Sequence, residues 1–531
     1  MSGIQTGGKG FLSGQWWVTP VTVVLGVIGL VSRLSPLTEP HGRLLRQFMT
    51  EDGYLMQTVA HNLAIGLGMS VSDGTIQTNG VQPLATFIFA LCYVVAGGDK
   101  VGGIASVTVI SAIIGVAAAA CLYVFVKKVL KGFADARPLA LLVAGFWFGS
   151  PLIVNHSMNG LETGLYLLVS IATMTIALNL VEANPGRLTT PQMLGLGVML
   201  GLCFLSRNDA AFLIAAILLA RFIALWPASA QQWRDRIVEA VVPGLISVAI
   251  ALPWLIYNYR LFGSVMPISG ISEALDAKPF ANMILAPAKL LEFVMVALPI
   301  PDSLETRLPV VLVSIVGVAI AVAIAARMLW RRSRSTAFVF AAYGIFGVLL
   351  VAFYGGYFGA PYFMSRYLAP LSPFLALAGV MTLYWVAGLI GEDWRRPLLA
   401  AGAGLAAILV LGLNAVLYKR GLNHEHFQVV NWVQRNVPPE TWVGAPQTGT
   451  LGFFHDRTIN LDGKVNPDAL RAKIKEGDVI AYILRSDIMY IADWVGMAKW
   501  ALIEKDGFDR KFQLLVDDKA ANLAVLKRVD R

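Results

Sequence analysis

Residues 51–84 read EDGYLMQTVAHNLAIGLGMSVSDGTIQTNGVQPL, and two adjacent carboxylates, Glu51 and Asp52, open the stretch. They follow the first strongly hydrophobic run of the chain, near 17–34, after a short polar interval. Paired acids just past a membrane span are poorly placed for stability. Lipid contact is costly for them, and no neighbour in sequence offers a cation for both. They are well placed for chemistry at a membrane surface.

Composition agrees with a membrane setting. The 531 residues are 56% hydrophobic and only 14% charged, whereas soluble domains carry about 25% charged residues. The chain therefore reads as an α-helical polytopic membrane protein with 11–12 membrane segments. Candidate spans lie near 17–34, 101–126, 138–154, 161–182, 191–206, 208–226, 237–257, 308–326, 336–354, 367–390 and 397–418. Cys92, Cys121 and Cys203 fall in or beside these runs with neither disulfide nor zinc spacing, which makes them packing residues.

Basic loops set the orientation. Lys127, Lys128, Lys131 and Arg137 form the first group; Arg187, then Arg221, Arg234 and Arg236 follow; Arg327, Arg331, Arg332 and Arg334, then Arg395 and Arg396 complete the set. The short loops between them carry only Arg207 and Arg366. The positive-inside rule places the first set in the cytoplasm, with the N-terminus inside. The net charge of +9 thus reflects topology and implies no nucleic-acid partner. Parity then constrains the apolar stretch 82–96. It cannot be a full crossing if 101–126 is one, and it is short of the roughly 20 residues a span needs. A re-entrant or interfacial segment is expected there. Trp16 and Trp17 mark an interface, and no cleavage site follows the first run, so a retained anchor is expected rather than a signal peptide.

The organisation read from the sequence is a membrane domain over 1–418, with a catalytic outer loop at 35–81 and a loop-like outer insertion at 258–307. A soluble extracytoplasmic α/β domain follows over 419–531. In the tail, helical and strand-like runs alternate: HFQVVNWVQRNV, TWVGAP, RTINLDG, DALRAKI, DIMYIAD, FQLLVDD and NLAVLKRV.

The motif series resembles the GT-C fold glycosyltransferases that use polyprenyl-phosphate donors, in particular an arabinofuranosyltransferase and mannosyltransferase-like branch. The carriers are Glu51-Asp52-Gly53-Tyr54, His61-Asn62-Leu63, Gly66, Gly68, Asp73-Gly74 and Gln82-Pro83-Leu84. In the same order come Asn159-Gly160-Leu161-Glu162-Thr163, Arg207-Asn208-Asp209, Tyr259-Arg260-Leu261-Phe262-Gly263 with Pro267, and Ser365-Arg366-Tyr367. In the tail, Gly449, Gly452 and Phe453 precede Asn460, Asp462, Gly463 and Asn466-Pro467. The chain departs from the family pattern at Glu51, His61, Gln82 and Asn208. The resemblance implies an inverting transfer of a monosaccharide from a polyprenyl-phosphate donor to a glycan, lipid-linked glycan or protein acceptor. The setting it implies is the outer face of a bacterial cytoplasmic membrane. A transporter or flippase of lipid-linked sugar is the alternative; inverted repeats and ionisable groups deep in helices, its expected marks, are not seen.

Such a transfer needs a carboxylate to take the acceptor proton and cations to stabilise the leaving phosphate. Asp52 is the expected base, with Glu51 orienting it or tuning its acidity; the competing reading is that Asp52 caps a helix over 52–65. Arg366, Arg207 and Arg260 are candidates for the phosphate, against simple snorkelling to headgroups. Arg366 is favoured because it lies in GGYFGAPYFMSRYLAP (355–370), whose glycines permit close approach. Glu162, Asp209, His156, Tyr54 and Tyr367 complete the substrate-binding candidates. Each has a structural alternative, such as a helix-dipole acid for Glu162 and an interface residue for His156. Glu51 and Asp52 are compatible with holding Mg2+ or Mn2+, and the arginines with doing that work alone. His424, Glu425, His426 and His455 make a poor metal site, because residues two apart on a helix do not face each other.

Overall fold

The computed structural model describes residues 12, 14, 16–39, 42–183, 186–227, 229–295, 299–329, 333–360, 362, 364–420 and 426–529. The membrane part is helical: α1 (Val18–Leu34), α2 (Glu51–Ala64), α3 (Pro83–Val95), α4 (Lys100–Val129), α5 (Ala136–Gly149), α6 (Pro151–Met158), α7 (Thr163–Ala183), α8 (Thr190–Ser206) and α9 (Ala210–Ala224). It continues with α10 (Ala230–Phe262), α11 (Ile268–Leu275), α12 (Ala286–Val294), α13 (Asp302–Glu305), α14 (Leu308–Leu329), α15 (Arg334–Gly356), α16 (Met364–Leu368), α17 (Ser372–Gly388) and α18 (Glu392–Arg420). A small hairpin, β1 (Ser70–Val71) and β2 (Ile76–Gln77), lies between α2 and α3.

Among the described residues, eight helices are long and apolar enough to cross a membrane, or nine with α5 and α6 counted as one span bent by 57°. Nine of the eleven expected crossings fall on one helix each, 138–154 falls on the bent pair α5–α6, and 367–390 on α16 and α17. The two that fall short, α8 and α9, have 17 and 15 residues. They stop early because their facing ends meet at a buried charged turn, Arg207–Asp209. The α5–α6 break falls at Ser150-Pro151, with proline in the first turn of the new helix, where its missing N–H is harmless. Buried Arg33 of α1 donates to the freed Phe148 carbonyl at 2.8 Å and lies over the Phe148 ring. Apolar side chains such as Val313, Leu245 and Ile408 point outward from α14, α10 and α18, as a lipid-facing surface requires.

The stretch before α4 returns to the face it left. A Cβ on Gly80, just before α3, would lie 2.1 Å from the Lys464 carbonyl oxygen of the tail. Lys100, just after α3, donates to the Phe453 carbonyl at 2.6 Å and pairs with Asp456 at 2.8 Å. Both ends of the segment are therefore held by the tail. The 13-residue α3 spans only about 20 Å, short of the roughly 30 Å hydrocarbon core of a bilayer.

One competing reading and one expectation are corrected. Thr50, not Asp52, caps α2: its hydroxyl accepts from Gly53 N at 3.0 Å, which leaves the Asp52 carboxylate for other partners. The segment 258–307 is not loop-like. It contains the end of α10 and the helices α11, α12 and α13, and α12 buries Ala288, Leu291 and Phe293.

The tail folds as a five-stranded sheet with helices. After α19 (Phe427–Asn436) come β3 (Val443–Ala445), α20 (Gly449–Phe454), β4 (Thr458–Asn460), α21 (Pro467–Glu476), β5 (Tyr490–Asp493), β6 (Phe512–Asp518) and β7 (Leu523–Arg528). The order is β4-β3-β5-β7-β6, with β3 parallel to β4 and β5, and β7 antiparallel to β5 and β6. Alternation along β7 sends Leu523 and Val525 to one core and Ala524 and Leu526 to the other, the period-two rule for a sheet covered on both faces.

The tail is clamped to the membrane part. Tyr54 of α2 packs among Phe453, Phe454 and Phe427, with ring centroids 5.2, 5.8 and 6.3 Å away. Arg457 pairs with Asp73 at 2.9 Å, and Ser272 of α11 donates to the Asp462 carbonyl at 2.7 Å.

Candidate active site

A cavity of about 410 Å3 opens where α2, the α8–α9 turn, α11, the α15–α16 connection and the tail converge. That volume is ordinary for a small-molecule site. Apolar groups, among them Leu55, Met56, Phe204, Phe212, Met266, Phe353 and Phe358, make most of its wall. Its charges come from Asp52, Glu162, Arg207, Asp209, Glu273, Arg366 and Lys464.

Asp52 is the carboxylate at the centre of this set. Its Oδ2 is 3.8 Å from Arg366 Nη1, and its Oδ1 is 3.9 Å from Lys464 Nζ. Both separations exceed a hydrogen bond, so the oxygens stay available to an incoming hydroxyl. One-fifth of the Asp52 side chain remains exposed.

The arginines are held differently. Arg207 ends α8 in an extended conformation, so its side chain enters the interior rather than the lipid. It pairs with Asp209 at 2.8 Å and with Glu162 at 3.7 Å. Its Nη2 donates to Tyr354 Oη at 3.2 Å, and that hydroxyl donates to Asp209 at 2.6 Å. Tyr354 also stacks on Tyr367, with centroids 4.0 Å apart. Arg207 Nη1 reaches the Arg366 carbonyl at 3.4 Å and so positions the second arginine. These are buried charges in a closed network, the arrangement that keeps a guanidinium fork fixed for a phosphate. Snorkelling is excluded for Arg207 and Arg366 by their burial.

Other candidates stand elsewhere. Glu51 turns to the tail: its carboxylate accepts from Thr450 N at 3.1 Å and Thr450 Oγ1 at 2.6 Å, and lies 3.4 Å from His426 Nδ1. Successive helix residues point about 100° apart, so the two acids cannot both face the cavity. Tyr54 is fully buried and donates to the Leu45 carbonyl, away from the cavity wall. His156 is joined to Ser365 Oγ at 2.9 Å and does not line the cavity. Arg260 is exposed on α10 and does not line the cavity. His455 bonds Thr458, while His424 and Glu425 lie outside the described residues.

Lys464, Glu273 and Tyr354 were not among the residues singled out from the sequence. Lys464 lies inside the Asn460–Pro467 motif, but that motif gave no sign that the tail loop enters the site. Its ammonium pairs with Glu273 at 2.7 Å. Burial alone would lower the Lys464 ammonium, yet Asp52, Asp462 and Glu273 together hold it above the usual lysine range. Burial pushes the neighbouring Asp462 carboxyl up to about 6, against the pull of Lys464.

The residues do not fit a divalent metal. Among the described residues, no group of three or more His, Cys, Asp or Glu side chains gathers around one point. Glu51 and Asp52 face different partners, and the charges flanking Asp52 are cations.

Comparison with known proteins agrees with this architecture. Residues 81–257 match the family model described as dolichyl-phosphate-mannose-protein mannosyltransferase. Residues 416–524 match a domain of unknown function, DUF8728. No curated protein matches the chain in sequence. Among solved structures, ArnT from Cupriavidus metallidurans bound to undecaprenyl phosphate is similar over 97% of this chain and 99% of its own, with a TM-score of 0.59 and 12% identity. The oligosaccharyltransferase AglB from Archaeoglobus fulgidus, in complex with an inhibitory peptide and a dolichol-phosphate, is similar over 94% of this chain and 72% of its own. Its TM-score is 0.55 at 14% identity. An Archaeoglobus fulgidus oligosaccharyltransferase in complex with Zn and sulfate gives 0.57 at 16% identity, over 93% of this chain and 71% of its own. The chain is a multi-pass membrane protein with the GT-C fold.

Proposed function

We propose that the chain transfers a monosaccharide from a polyprenyl-phosphate donor to an acceptor hydroxyl at the extracytoplasmic face of a bacterial cytoplasmic membrane. The observation that carries this reading is Asp52, set between Arg366 and Lys464 in a largely apolar cavity. In this assignment the N-terminus is cytoplasmic and the tail domain extracytoplasmic. The fold shared with a protein bound to undecaprenyl phosphate and another bound to a dolichol-phosphate supports the donor class.

In the transfer, Asp52 takes the acceptor O–H proton. The oxygen lone pair forms the bond to the anomeric carbon. The bond from that carbon to the phosphate oxygen breaks, and its electron pair leaves on prenyl phosphate. Arg366 and Arg207 stabilise the growing phosphate charge, and their burial strengthens that effect. Direct displacement with a single base inverts the anomeric centre. Tyr367, Glu162 and Asp209 keep the arginines oriented.

The experiment is reconstitution of the purified protein with a panel of prenyl-phosphate sugars and an envelope extract as acceptor. Prenyl-phosphate release from one donor is the expected result, and Asp52→Asn should lower it by about 10²–10⁴, the usual worth of a general base. Equal release by mutant and wild type would refute the base, and no release from any donor would refute the activity.

A further inference from the structure

We infer that Lys464 and Glu273 form the acceptor subsite, and that it takes a neutral sugar through a vicinal diol. The inference rests on the proposed transferase activity and deepens it.

Asp52 divides the cavity. Its Oδ2 faces Arg366, which with Arg207 serves the donor phosphate, and its Oδ1 faces Lys464. A base that removes the acceptor proton lies beside the acceptor oxygen, which in an inverting displacement approaches the anomeric carbon from the face opposite the leaving phosphate. The acceptor therefore approaches from the flank that the donor phosphate leaves vacant, the Lys464 flank.

The pair found there has the hydrogen-bonding character of a diol partner. Lys464 Nζ and a Glu273 oxygen stand 2.7 Å apart, with about one-fifth of each side chain exposed. The ammonium has three donors, and the carboxylate has lone pairs beyond the one used. A donor and an acceptor this close match two neighbouring ring hydroxyls, one accepting from Lys464 and one donating to Glu273. Because the two charges cancel, the pair gives no preference to a charged acceptor. An acceptor carboxylate or phosphate would have to break it.

The pair is also preorganised, as a specificity subsite needs to be. Lys464 comes from the tail, and its backbone carbonyl packs so closely on Gly80 that no side chain fits there. Glu273 lies on α11, whose neighbouring Ser272 donates to the Asp462 carbonyl at 2.7 Å. Two parts of the chain thus hold one charge each, and neither makes the subsite alone.

The test uses the full-length protein and three acceptors made from one envelope polysaccharide fraction: untreated, protease-digested, and cleaved with periodate then reduced. Periodate breaks the carbon–carbon bond between vicinal hydroxyls. Protease digestion should leave transfer intact, and periodate should abolish it. Glu273→Gln, which keeps the shape but not the charge, should raise the acceptor KM about tenfold, as loss of one hydrogen bond to a charged group does. The donor KM should change much less, and Lys464→Gln should show the same split. A merely structural pair would move both constants together, and that result overturns the inference, as does transfer that survives periodate or is lost to protease. If prenyl phosphate is released from no donor at all, the transferase reading fails first. Calorimetric binding of the untreated polysaccharide to wild type and Glu273→Gln then decides the subsite by itself: equal affinity sinks it.

Discussion

Gly449→Ala should silence the proposed transfer although the residue lies in the tail and does not line the cavity. A Cβ at this position would stand 1.8 Å from the Glu51 carbonyl oxygen and 2.7 Å from its carbonyl carbon, where ordinary contact begins near 3.4 Å. Both obstacles are backbone, so no rotamer change relieves them. The two segments must part by about 1.6 Å along that line. The hydrogen bonds from Thr450 N and Oγ1 to Glu51 run across the same gap, at 3.1 and 2.6 Å, and do not survive such a separation. Bonds to a charged group contribute about 1.5–3 kcal/mol each, and overpacking adds about 1–3 kcal/mol. The docked arrangement therefore weakens by several kcal/mol in total.

Asp52 follows Glu51 in the chain, so the displacement reaches the base directly. A misplacement of about 1 Å lowers turnover by roughly 10², and the Gly449 clash exceeds that distance. The assay is prenyl-phosphate release by the reconstituted variant, read with hydrogen exchange in α2 to report docking. Gly496→Ala is the control in the same domain, since a Cβ there meets nothing within 4 Å. Release by Gly449→Ala within twofold of wild type, with α2 as protected as before, would refute the claim that tail docking sets the position of Asp52.

Other outcomes follow from the same contacts. Tyr354→Phe removes the hydroxyl that links Arg207 to Asp209 and should lower kcat by about tenfold, one buried charge-assisted hydrogen bond, with little change in expression. Arg207→Lys should fall further than Tyr354→Phe in the same assay, because an ammonium cannot reproduce the planar fork. Arg260→Ala should stay within about twofold of wild type in release, an exposed cation being worth little; a large loss would place it in the site after all. Asp493 in the tail is held at about 7 by burial, with Gln447 N and Trp494 N pulling the other way. Its folded value is raised, so its stabilisation is complete below the unfolded value and disappears as pH rises through about 7. The unfolding temperature should therefore drop between pH 5 and 8, and Asp493→Asn should flatten that slope.

The membrane helices were legible because apolar runs and basic loops are one-dimensional signals. A span needs only its own length and its own flanks. The same held for the tail strands, whose alternation survives in runs such as NLAVLKRV. Parity singled out the stretch 82–96, and the helix found there, α3, has 13 residues. What escaped was contact between distant segments. Lys464 reads as a surface lysine until β4 and α21 are seen to present it beside α2. Tyr354 is one of several tyrosines in an apolar run, and only its hydroxyl's position between Arg207 and Asp209 sets it apart. Glu51 and Asp52 look like one functional pair in sequence, yet helical rotation sends them to different partners.

In the proposed transfer, that separation gives each of the adjacent acids its own work. If Asp52 is the base, it must be positioned firmly beside two half-buried cations, but a hydrogen bond made to its own carboxylate would weaken it as a proton acceptor. Glu51 carries the positioning contacts in its place. It ties the first turn of α2 to Thr450 and His426, while Asp52 keeps its nearest cations beyond hydrogen-bond distance. Thr50 caps the same turn, so the backbone under both acids is fixed from two sides. The tail then does more than cover the cavity: it holds the anchor of the base through Thr450 and places Lys464 on the base's open flank. A tail detached from α2 would lose both together, so on the proposed reading the tail is part of the site rather than an accessory to it.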